Sequence, residues 1–86
     1  MRKSERHSKD RGLSNLGDAL RNRRVELELT QEEVGFSAGL HRTYITDIEN
    51  GLRNISFLTL AKVSEALQCR ISVIMLNAES MAPETP

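Results

Sequence analysis

The sequence is short of nearly everything that secretion, membrane insertion or catalysis requires. Its one cysteine, Cys69, cannot close a disulfide within the chain, which agrees with a reducing compartment. The two histidines, His7 and His41, form no ligand cluster with that lone thiol, so no metal or other cofactor is expected. No serine, histidine and acid set suggests nucleophilic catalysis, and no glycine-rich phosphate loop occurs. An enzyme is therefore not expected, nor is a small-molecule ligand. The most apolar stretch, Ile71 to Leu76, falls far short of the roughly 18 residues of a membrane-spanning helix. The N-terminus is polar and charged, unlike a secretory signal, and a cytoplasmic location away from membranes is expected.

Excess positive charge is missing too. Twelve basic residues face twelve acidic ones, which argues against a crude electrostatic binder of nucleic acid. The distribution says more. Residues 1–12 hold Arg2, Lys3, Arg6, Lys9 and Arg11 against Glu5 and Asp10, a net of +3, which leaves −3 for the other 74. If the body binds DNA, it does so through a few placed cations.

At 86 residues the chain reads as one domain, small enough that association often supplements its stability. Residues 1–12 lack apolar periodicity and read as a flexible basic arm, either a solvated tail or an arm that follows a DNA backbone. Residues 13–77 carry helical patterning, and 78–86 read as a flexible tail. Leu13, Leu16, Leu20 and Leu27 mark a first helix, capped by Ser14 and ending near Leu29. Thr30 with Glu33 forms a capping box for a second helix, which Gly39 ends after Ala38. A third helix starts at His41 or Arg42, runs through Tyr44, Ile45, Ile48 and Glu49, and closes at Gly51. Ser56 caps a fourth with the stripe Phe57, Leu60, Val63 and Leu67, and Ser72 opens a short apolar fifth piece. The fold class is all-α, with about five short helices.

Helices as short as the second and third cannot stand alone, so they need a common core, here Val34, Leu40, Ile45 and Ile48. Gly35 costs helix stability and is tolerated where a neighbour comes too close for a side chain. Two short helices joined by a tight turn have the geometry that pushes the second of them into a major groove.

The string Thr30-Gln31-Glu32-Glu33-Val34-Gly35, then Ala38-Gly39-Leu40, Tyr44-Ile45 and Ile48-Glu49-Asn50-Gly51, resembles the Cro/repressor-type (xenobiotic response element) helix-turn-helix family. The likeness runs from Leu16 to about Met75 and implies a five-helix, lambda-repressor-like domain that binds double-stranded DNA. Within the family, His41-Arg42-Thr43-Tyr44-Ile45 and Arg53-Asn54-Ile55-Ser56 are similar to controller proteins of restriction–modification systems. Glu28 and Gln68-Cys69 depart from the common pattern, which has a small residue or glycine at the first place and Gly-Val at the second.

The resemblance implies base contacts from Arg42, Thr43, Thr46 and Asp47. Arginine reads guanine through a bidentate pair, and threonine touches a thymine methyl or a phosphate. Asp47 either accepts from a cytosine amino group or orients Arg42. Gln31, at the start of the second helix, is the position that holds a phosphate, with Tyr44, Arg53 and Asn54 as further backbone contacts. Tyr44 could equally be a packing residue. Arg24 and Glu49 are expected to pair and lock the third helix to the first, and Cys69 to pack among apolar neighbours.

One recognition helix reads too few bases, and proteins of this type double the contact by two-fold symmetry, with half-sites about 34 Å apart. Leu58, Ile71, Ile74 and Met75 form a candidate homodimer patch, unless they only close the monomer core. The function expected is a sequence-specific transcriptional regulator on a palindromic operator. The alternative is an antitoxin or other protein-interaction module on the same fold, which the neutral charge favours.

Overall fold

The computed structural model describes residues 10–81. They form five helices: α1 Arg11–Glu26, α2 Gln31–Ala38, α3 Arg42–Glu49, α4 Phe57–Ala66 and α5 Ile71–Ser80. No strand occurs among the described residues. The first helix packs on α3 and α5, while α2 packs on α3 and α4. Leu16 and Leu20 of α1, Val34 of α2, Ile45 and Ile48 of α3, Leu60 and Val63 of α4 and Ile74 of α5 meet in one core. Leu27, Leu29 and Leu40, which lie outside the helices, pack against it.

Four helix ends use the same device. The chain turns through a residue at positive φ, and the next N–H reaches five residues back to a carbonyl, which satisfies the last turn. Leu29 reaches Arg24, Leu40 reaches Gly35, Leu52 reaches Asp47 and Cys69 reaches Ser64, at 2.7–3.1 Å. Glycine occupies two of these turns, Gly39 (φ 74°) and Gly51 (φ 72°). Glu28 (φ 58°) and Gln68 (φ 54°) occupy the other two, against the steric preference of a side chain. Both stand where the sequence departs from the pattern it resembles.

The structure moves several expected boundaries. The side chain that caps α1 is Asp10, which accepts from the Leu13 N–H at 3.2 Å, and not Ser14. Arg11 and Gly12 thus belong to α1 with Asp10 as its N-cap, and the rest of the expected arm lies outside the described residues. The helix stops at Glu26 and not Leu29, because Glu28 takes the left-handed turn. The last helix starts at Ile71 after Arg70, which makes no side-chain cap, so Ser72 does not open it. It continues past 77 to Ser80 because Ala78, 5% exposed, is part of the core. Phe57 is not on the inner stripe of α4; it is 69% exposed.

Two glycines let backbones touch. A Cβ on Gly35 would lie 2.5 Å from the Leu40 carbonyl oxygen and 3.5 Å from Ile45 Cγ1, so α2 sits hard on the turn and on α3. A Cβ on Gly17 would lie 2.5 Å from the carbonyl oxygens of both Ile48 and Glu49. Gly17 was not singled out from the sequence, although a glycine in mid-helix carries the same signal as Gly35.

Candidate nucleic-acid interface

The surface that matters is built from the start of α2, the outer face of α3 and the turn after it. Thr30 Oγ1 accepts from the Glu33 N–H at 3.0 Å, and Glu33 Oε1 accepts from the Thr30 N–H at 2.8 Å. That reciprocal cap leaves the first amides of α2, Gln31 and Glu32, facing outward, where the helix dipole favours an anion.

The Gln31 side chain is held by the protein itself. Its Nε2 donates to Glu49 Oε1 at 2.9 Å, and its Oε1 accepts from the Thr46 hydroxyl at 2.7 Å. The same hydroxyl lies 3.2 Å from the Arg42 carbonyl. Thr46 is therefore half-buried and turned toward α2, whereas Arg42 and Thr43 stand exposed. Neither the Arg42 guanidinium nor the Thr43 hydroxyl has a hydrogen-bond partner among the described residues.

Behind this face lies the pair of Arg24 and Glu49. Arg24 Nε and Nη2 donate to the two Glu49 carboxylate oxygens at 2.7 and 3.1 Å, and Nη1 donates to the Leu29 carbonyl at 2.9 Å. Glu49 is 4% exposed, and its charge is compensated by Arg24 and Gln31 together. The hydrogen bond to Glu49 raises the Arg24 pKa, against the opposing effect of burial. One carboxylate thus ties α1, α2 and α3.

The N-cap of α3 is His41, whose Nδ1 accepts from the Thr43 N–H at 3.0 Å. Beyond the far end of α3, Arg53 folds back. Its guanidinium carbon lies 4.9 Å from the centre of the Tyr44 ring, and its Nε donates to Asp47 Oδ2 at 3.3 Å. Asp47 thus faces Arg53, not Arg42, and Tyr44 is half-buried beneath the guanidinium. Asn54 is exposed in the same loop.

Away from this face, Leu58 is 71% exposed, Met75 37% and Ile71 partly buried. Ile74 is fully buried among core side chains, so it has no surface to offer a second subunit and leaves the candidate dimer patch. Leu76, 62% exposed, was not singled out and lies on the same helix. Arg23 was also missed. Its Nε and Nη2 donate to the carbonyls of Leu67 and Gln68 at 3.0 and 3.1 Å, fastening α1 to the turn before α5. No periodicity marks such a contact, because it pairs a side chain with backbone 44 residues away. Cys69 is partly buried against the core. Among the described residues no acid, histidine and cysteine group could hold a metal, and no helix is long and apolar enough to cross a membrane.

Residues 20–74 match the helix-turn-helix family. Over 39 residues the chain is 51% identical to control protein C.BamHI of Bacillus amyloliquefaciens, a match that covers 45% of this chain and 48% of that protein. The chain thus spans about half the length of that relative. Among solved structures it is similar to the clp gene regulator ClgR of C. glutamicum, with a TM-score of 0.80 and 28% identity over 85% of this chain and 96% of the other. It is also similar to the restriction–modification controller protein C.AhdI of Aeromonas hydrophila, with a TM-score of 0.71 and 34% identity over 72% and 94%.

Proposed function

The chain belongs to the helix-turn-helix family of DNA-binding regulators, and on that premise we propose that it binds a palindromic operator as a homodimer and controls transcription there. The observation that carries this reading is the pairing of a free face with a fixed frame. The Arg42 guanidinium and the Thr43 hydroxyl stand exposed without hydrogen-bond partners among the described residues, while Gly17, Gly35 and Glu49 hold α3 in place behind them. Arg42 reads a base edge, Thr43 a thymine methyl or a phosphate, and the free amides of α2 take a backbone phosphate. Gln31 and Thr46 set the spacing between those two contacts. Arg53 and Asn54 reach the adjoining backbone. Leu58, Met75 and Leu76 supply apolar surface for the second subunit, with Ile71 at its edge.

The likeness to C.AhdI makes control of a neighbouring methyltransferase and endonuclease the first role to test. Duplexes are selected from a randomised pool, and gel shifts then compare wild type with Arg42→Ala. A two-fold symmetric site should emerge, and Arg42→Ala should lose about 1–3 kcal/mol of discrimination at one position in each half-site. A pool without enrichment at moderate salt overturns the reading. Phe36, 89% exposed on α2, favours a second reading in which the fold serves a protein partner. A stable hetero-complex that covers α3 and excludes DNA would decide for it.

A further inference from the structure

We propose that Asp47 is a specificity-determining residue that works by restraint: it holds Arg53 on the Tyr44 ring and releases it where a base donor replaces the guanidinium. The inference rests on the DNA-binding reading above and assigns one part of that site. Three observations carry it. Arg53 is engaged on two sides at once, by the Tyr44 ring at 4.9 Å and by Asp47 Oδ2 at 3.3 Å. Its terminal amino groups have no hydrogen-bond partner among the described residues, so only the Nε contact and the ring hold the guanidinium away from a phosphate. The side chains are 51% and 28% exposed, so the ion pair is weak and a phosphate can compete with it.

A carboxylate on the helix that enters the groove faces an anionic duplex. On a non-cognate duplex the protein has two poor choices. Arg53 stays with Asp47 and a phosphate contact is lost, or Arg53 moves to the backbone and Asp47 is left unpaired beside the DNA. Both weaken binding. Where a cytosine amino group lies under α3, it donates to Asp47 and Arg53 is free for the phosphate. Both charges then have partners. Discrimination comes from penalising the wrong sequence. A chain whose charges balance overall, with 12 of each sign, has few cations to waste on non-specific contacts.

The test uses the full chain with duplexes selected from a randomised pool by wild type, and scrambled duplexes of equal length. Affinity is measured across a salt series for wild type, Asp47→Asn, Arg53→Ala and the double variant. Asp47→Ser serves as a second variant, and thermal melting checks that each folds. Removing the carboxylate should tighten binding to the scrambled duplex by up to about fivefold. The salt slope should steepen by about 0.9 for each protomer, and the ratio of selected to scrambled affinity should narrow. With Arg53 already removed, Asp47→Asn should no longer change the slope. Three results would overturn the proposal alone: an unchanged ratio, an effect that is equal with and without Arg53, or a loss confined to the selected duplex. Failure of wild type to prefer any duplex would overturn both this proposal and the reading beneath it.

Discussion

Arg24 and Glu49 meet in a two-point fork, at 2.7 and 3.1 Å, across 25 residues of sequence. Because Glu49 is 4% exposed and also accepts from Gln31, the carboxylate has no water to fall back on if Arg24 is lost.

Arg24→Ala should therefore cost about 3–5 kcal/mol, read by denaturant unfolding, since it leaves a buried charge without its cation. Replacing both partners by apolar residues of similar volume should cost much less than either single change. The pH dependence follows from the direction of the Arg24 shift. A raised folded pKa gives stability that is fully present below arginine's ordinary value and fades only as pH climbs through the still higher folded value. Unfolding measured from neutral pH to about pH 10 should show no loss from this group.

Glu28→Gly and Gln68→Gly should each stabilise the fold. Both residues sit at positive φ, where a Cβ costs about 1–2 kcal/mol, and glycine gives part of that back as extra freedom of the unfolded chain. The expected gain is about 0.5–1 kcal/mol apiece, a rise in melting temperature of about 2–8 °C. Arg23 grips the backbone carbonyl of residue 68, so that contact survives the change. A fall in stability would mean that the side chains of Glu28 and Gln68 contribute more than the turn costs.

Gly17→Ala should destabilise despite alanine's better helix propensity. The new methyl would meet two backbone carbonyls of α3 at 2.5 Å, and backbone cannot rotate out of the way. A loss of about 1–3 kcal/mol outweighs the gain of about 1 kcal/mol from propensity. Weaker DNA binding should accompany it, since α3 must shift.

Leu58→Asp and Ile74→Ala should separate association from folding. Leu58, 71% exposed, belongs to the proposed subunit interface, so its change should yield a folded monomer in sedimentation equilibrium. Ile74 has no exposed surface, and its truncation should cost about 2–5 kcal/mol in unfolding whatever the oligomeric state. A Leu58→Asp protein that still sediments as a dimer would move the interface elsewhere.

How much of this could be read from the residues depends on how each contact is encoded. Thr30 with Glu33, and the glycines at 39 and 51, announce themselves because their chemistry is local, and α2 and α3 have the ends expected of them. Glu28 and Gln68 make the same turn without glycine, so the sequence carried the departure but not the geometry. Leu27 and Leu29 continue the leucine rhythm of α1 after the helix has ended, because a residue in the turn can reach the core as well as one in the helix. Asp10 and Ser14 are both residues that cap, and only the approach of the Leu13 amide to Asp10 settles between them. In the site, the exposure of Arg42 and Thr43 follows from helical spacing. The link from Asp47 to Arg53 does not, since it closes across the Gly51 turn, where periodicity stops.

The contact at Gly17 bears on the partner as much as on the protein. With two carbonyls of α3 resting on bare backbone, that helix has little slack through which to re-aim itself. If α3 docks in the groove as proposed, any mismatch between the two must be absorbed by the duplex, whose willingness to bend depends on its sequence. Base pairs that no side chain touches should therefore alter affinity through their stiffness alone.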